Sequence, residues 1–149
     1  MKKEYLKQDI NNPKYLFHGS SNKLDVIKPN LSYDSNNNKN NVDNAIFLTP
    51  IFLKATAYAF KDTIKKNSDG LDWDFIISNL NDFPVMKMKN VRVDNDMVGY
   101  VYVFKYNNYM FKDENSYQYK CYNNLIPIDV IEVCYKDYSY YYEMNNDKM

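Results

Sequence analysis

Short apolar bursts separated by polar stretches set the first expectations for this chain. Tyr15-Leu16-Phe17-His18 is closed by Gly19-Ser20-Ser21-Asn22, which reads as a strand running into a turn, with His18 at the strand's C-terminal lip. Ala45-Ile46-Phe47-Leu48 has the pattern of a buried strand, and Thr49-Pro50 after it announces a helix: a hydroxyl cap, then a proline suited to a helix's first position. Phe52, Ala55, Ala59 and Phe60 recur at helical spacing, which predicts a helix from about Ile51 to Lys65, flanked by Ala57 and Tyr58. Leu71, Phe75, Ile76 and Leu80 predict a second short helix over Leu71 to Asn81.

The C-terminal half has a different rhythm. Gly99 to Phe104, Tyr109 to Phe111, Tyr117 to Tyr122 and Ile126 to Val133 are short aromatic or β-branched runs with turn-like breaks, the mark of a sheet. Pro127 suits the start or the edge of the last strand. Between the first two strands, Ser32 to Asn44 is so rich in Asn, Ser and Asp that it can bury almost nothing and reads as a flexible surface loop. The tail from Lys136 to Met149 adds an edge pairing or frays. With no internal repeat, the expectation is one α+β domain over residues 1–149.

Composition narrows the function. The 19 basic and 19 acidic residues cancel, so no broad positive field holds nucleic acid by counterion release. Cys121 and Cys134 sit in strand-like stretches without a CxxC pattern, the usage of a thiol-reduced cytoplasmic protein with inert core thiols. Met1 to Lys14 is polar, and no run approaches the roughly 18 apolar residues of a membrane span. A single histidine with no ligand-pair spacing argues against a metal site. Hydrolase elbows are missing, and the scattered Gly19, Gly70 and Gly99 form neither a P-loop nor a dinucleotide fingerprint.

What remains is His18-Gly19-Ser20 at a strand end, then Phe47 on the next strand, and Tyr58 inside the helix that follows. This order resembles the His-Tyr-Glu branch of the ADP-ribosyltransferase superfamily, which includes the poly-ADP-ribose polymerases and the diphtheria-like toxins. The resemblance implies that fold: two small packed, antiparallel-rich sheets with one or two helices in the N-terminal half. It also implies NAD as substrate, with no metal. In the family the histidine binds the adenosine-side ribose, the glycine backbone holds the nicotinamide amide, and the helix tyrosine stacks on the nicotinamide ring. Those roles fall on His18, Gly19 and Tyr58, with Ser20 beside them and Phe47 in place of the second stacking tyrosine. A family serine that bonds the amide falls on Ala55, where the contact is lost.

The catalytic glutamate's place falls on Gln118, in Ser116-Tyr117-Gln118-Tyr119 ahead of Leu125-Ile126-Pro127-Ile128. Glutamine can bond a ribose hydroxyl, but it brings no charge to stabilise the cationic transition state, a loss on the order of 2–4 kcal/mol. Glu114, four residues earlier, is a conceivable substitute. Arg92, the single arginine, lies far from the first strand, where the arginine-dependent class needs one. Three functions follow. The first is transfer of ADP-ribose from NAD to a macromolecular acceptor, with Gln118 and His18 as the catalytic pair. The second is a binding module for NAD or ADP-ribose that has lost transfer. The third is a plain protein-interaction domain.

Overall fold

The computed structural model describes residues 3–32, 43–80, 83–113 and 118–145. Strands β1 (Tyr15–Ser20), β6 (Val98–Lys105) and β9 (Asp129–Cys134) form an antiparallel sheet in the order β1-β6-β9. Strands β1 and β6 are apolar on both faces, and the faces serve different cores. Tyr15, Phe17, Val101 and Val103 join one cluster, while Leu16, Tyr102 and Phe104 join the other. Strict alternation along each strand causes this split, because successive side chains leave a strand on opposite sides.

The second cluster is closed by an antiparallel sheet of β2 (Asn30–Ser32), β3 (Asp43–Leu48), β8 (Tyr119–Cys121) and β7 (Met110–Lys112), through Ile46, Leu48, Met110, Tyr119 and Cys121. On the other face lies α2 (Phe52–Asn67), which contributes Phe52, Ala55, Ala59, Phe60 and Ile64 to the first cluster. A third sheet, β4 (Asp74–Leu80) and β5 (Phe83–Lys89) antiparallel with β10 (Glu143–Asn145) parallel to β5, covers the helix's far side with Phe75, Met86 and Met88.

The molecule is thus α+β, but three sheets are seen among the described residues where two were expected. The added sheet has a local origin. Of Leu71 to Asn81, expected to be helical, Asp74–Leu80 is strand, with Phe75 buried and Ser78 paired with Val85, and Asn81 lies outside the described residues. Phe75-Ile76-Ile77 satisfies a helix's spacing and a strand's β-branching equally, and the ladder with β5 decides between them. Pro84 fits in β5 because β10 reaches only Val85 to Lys87, leaving that end of the strand an edge on one side.

Helix α2 begins two residues after Pro50, at Phe52. Thr49 Oγ1 still accepts a bond from the Ile51 N–H at 3.1 Å, ahead of the helix. The expected loop is shorter than Ser32 to Asn44, since Ser32 ends β2 and Asp43 and Asn44 open β3; residues 33–42 lie outside the described residues. The tail from Lys136 folds back as α3 (Tyr135–Tyr138), a 3-10 turn (Ser139–Tyr141) and β10. Buried Tyr142 fastens it, its hydroxyl closely hydrogen-bonded to that of Thr56 on α2. The polar N-terminal segment is fastened too. Tyr5, on the four-residue α1 (Glu4–Lys7), is buried against Phe17 and donates to Asp129 at 3.0 Å. Cys121 is buried and Cys134 half-buried, both as free thiols.

Candidate functional site

Glycine lets helix and strand meet here without side chains between them. A Cβ on Gly19 would overlap the Ala55 carbonyl oxygen of α2 and lie 2.7 Å from Ala59 N; one on Gly99 would lie 2.7 Å from the Ala59 Cβ. Helix α2 therefore rests almost directly on β1 and β6. Ala55 is fully buried in this contact. The segment after β1 is held as well. Ser21 Oγ donates to the Ala59 carbonyl at 2.8 Å, and the Tyr102 hydroxyl accepts from Leu24 N at 2.6 Å and donates to the Asn22 carbonyl at 2.7 Å.

Strands β1 and β3 meet at one bridge and then part. Phe17 N donates to Thr49 O at 2.8 Å and Thr49 N to Phe17 O at 2.9 Å. A continued antiparallel ladder would next pair Gly19 with Phe47. Instead His18 Nδ1 donates to the Phe47 carbonyl at 2.9 Å, wedging an imidazole into the fork. Since Phe17 turns both its backbone groups toward β3, alternation turns those of Gly19 the same way, and no strand pairs with them there among the described residues. The fork thus presents a backbone N–H and C=O with no secondary-structure partner, which suits an amide ligand.

A carbonyl oxygen can only accept, so Nδ1 carries the proton of that bond. Burial holds the His18 pKa below the ordinary 6.5, against smaller upward effects from the Phe47 carbonyl and the Asp62 carboxylate. The ring is therefore neutral at pH 7, and its Nε2 keeps a lone pair for a hydroxyl donor. His18 retains partial solvent access despite this depth, as expected for a group that lines a concavity.

Tyr58 and Gln118 complete the arrangement. The Tyr58 hydroxyl is hydrogen-bonded to the side chain of Gln118; burial raises the tyrosine's pKa and that bond offsets part of the rise. The phenol is thus protonated at neutral pH, and two sequence-predicted residues 60 positions apart in the chain touch. Phe47 lies on the face of β3 opposite Ile46 and Leu48, partly exposed, in register with Lys120 of β8, whose ammonium stands 5.6 Å from its ring centroid. Lys61 stands 5.8 Å from the Tyr58 ring centroid, so each aromatic ring has an ammonium beside it. Lys120 also lies 4.0 Å from the Asp113 carboxylate. Ser20 keeps its hydroxyl local, accepting from Asn22 N at 3.1 Å. Glu114 falls outside the described residues.

The sequence reading passed over Asp62, Lys54 and Lys120. Asp62 and Lys54 stand four residues after and before Tyr58, spacings that place all three on one helix face and were open to inspection. Lys120 depended on the β3 and β8 register. Among the described residues no three His, Cys, Asp or Glu side chains gather to hold a metal ion, and no helix is long and apolar enough to cross a membrane. No protein-family model, curated protein or solved structure matches the chain, so its function must be argued from the site's own chemistry.

Proposed function

We propose that this chain is an NAD-binding protein of the ADP-ribosyltransferase type, working in a thiol-reduced cytoplasm and presenting ADP-ribose to a macromolecular acceptor. The observation that carries the reading is the pair of contacts joining its separated motifs: His18 to the Phe47 carbonyl, and Tyr58 to Gln118. In this reading the N–H and C=O of Gly19, which no strand pairs among the described residues, hold the nicotinamide amide, and Ser20 borders that contact. Phe47 and Tyr58 offer ring faces for stacking. The His18 Nε2 lone pair accepts from a ribose hydroxyl.

Transfer would break the bond between nicotinamide and ribose, its electron pair leaving on the pyridine nitrogen, while the acceptor's nucleophile attacks the cationic ribose carbon and gives up its proton to solvent. Gln118 could orient the ribose hydroxyls, but as a neutral amide it stabilises that cation less than a carboxylate would. This favours a second reading, a module that holds NAD or ADP-ribose and transfers slowly or not at all.

Calorimetry with NAD, together with a nicotinamide-release assay, tests both. Wild-type protein should bind NAD, and His18→Ala should weaken binding by about tenfold, the equivalent of one good hydrogen bond. Nicotinamide release by wild type supports transfer. Binding without release, with release appearing in Gln118→Glu, supports the binding module. Wild type that binds neither NAD nor ADP-ribose would sink the nucleotide reading and leave the interaction-domain function.

A further inference from the structure

Lys54 is poorly accounted for by the packing around it. It is the third residue of α2, 7% exposed, within a first turn and a half where Phe52, Ala55, Thr56 and Ala57 are also buried. Its ammonium has neither an ion pair nor a hydrogen bond among the described residues. Burial alone pulls its pKa below the ordinary lysine value, and no carboxylate offsets the effect. An unpaired buried cation costs stability, and the cost grows at a helix start, where the free N–H groups carry partial positive charge. The first turn of α2 contains no acidic residue to relieve it.

The N–H groups at this helix start point to what is missing. Those of Lys54 and Ala55 are taken by the Ile51 carbonyl at 3.1 and 3.2 Å, whereas those of Phe52 and Leu53 have no acceptor among the described residues. Helical side chains lean toward their own N-terminus, and a lysine at the third position of a helix is long enough to bring its ammonium within reach of these two donors. Tyr58, one turn further on, lies on the same face as Lys54.

We propose that the start of α2 binds an oxyanion of a ligand, a phosphate or a carboxylate, with Lys54 as its counter-charge and the Phe52 and Leu53 N–H groups as donors. The site makes sense of a lysine kept where the empty fold would do better without it, the usual trade between stability and function. It adds an anion-binding end to the face that carries Tyr58 and does not require that NAD be the ligand.

Thermal melting of wild type and Lys54→Met, in sodium pyrophosphate or sodium nicotinate against sodium chloride at matched ionic strength, tests it. In chloride the variant should melt higher than wild type, by about 2–4 °C, since it removes an uncompensated charge. Wild type should gain melting temperature from at least one of the two anions, and the variant should lose that gain. A response to pyrophosphate identifies a phosphate, and one to nicotinate a carboxylate. Should Lys54→Met fail to fold, Lys54→Gln repeats the comparison with a neutral polar side chain. A variant that melts below wild type in chloride, equal anion responses in both proteins, or no response in wild type would each overturn the site. Calorimetry with NAD keeps the two proposals separable. NAD binding without an anion response overturns only the Lys54 site, and an anion response without NAD binding overturns only the nucleotide reading.

Discussion

Helix α2 has two flanks that obey opposite rules. On one, Ala55 and Ala59 press against Gly19 and Gly99, with Phe52, Phe60 and Ile64 filling the core around them. At the two glycines the surfaces approach too closely for even a methyl group to fit without displacement. On the other flank Lys54, Tyr58 and Asp62 follow one another at four-residue intervals; Tyr58 bonds the Gln118 side chain, and Asp62 acts on His18, whose imidazole stands in the fork between β1 and β3. The first flank is optimised for packing, and the second carries costs that packing does not explain. The contrast teaches where to look for function when comparison gives no guide: in the polar groups a well-packed helix retains against its own stability.

The largest effect should come from breaking the dense flank. Gly19→Ala drives a methyl into the Ala55 carbonyl and should lower stability by about 3 kcal/mol, measured as a fall in the urea midpoint. Gly99→Ala meets mainly the Ala59 methyl, which yields more readily, and should lose about 1–3 kcal/mol. If either variant proves as stable as wild type, the close approach of α2 to the central sheet is wrong.

Titration sharpens the comparison, because the two flanks respond at opposite ends of the pH scale. Tyr5, packed in the dense core, has its pKa pushed up from 10.0 to about 12, first by burial and then by its bond to Asp129. The fold favours the protonated phenol, so its contribution is complete below pH 10 and is lost as pH rises from 10 toward 12. Tyr5→Phe should flatten that part of the alkaline melting profile, and an unchanged slope would show that Tyr5 does not carry it.

His18 should behave in the reverse sense. Its folded pKa lies below 6.5, so the unfolded chain takes up a proton first, and stability falls as pH drops below 6.5 until the folded ring titrates. The slope cannot exceed about 1.4 kcal/mol per pH unit. Melting at pH 7.0 and pH 5.5 should show the loss in wild type and its absence in His18→Gln. Because the chain has a single histidine, one imidazole proton signal follows the titration directly, and an apparent pKa at or above 6.5 would contradict the buried fork.

Much of the scaffold was legible before any coordinates. The strand into His18-Gly19, the strand at Ala45 to Leu48, the helix after Pro50 and the sheet-forming C-terminal half are strongly patterned, and each formed within a few residues of its expected bounds. The misreading of Leu71 to Asn81 came from an apolar run that fits both periods, whose partner, β5, interrupts its alternation with a proline. The buried N-terminal Tyr5 and the docked tail escaped for another reason: their burial depends on distant partners, Asp129 for one and Thr56 for the other.

By itself, then, the sequence determined the local elements and supplied the candidate His18, Gly19, Phe47, Tyr58 and Gln118, since periodicity, caps and turn residues act over a few neighbours. The contact between Tyr58 and Gln118, the fork between β1 and β3, and the unpaired state of Lys54 were decided only by tertiary structure. Each depends on register and burial among segments far apart in the chain, and no local pattern encodes the solvent or the partner that a side chain will lose.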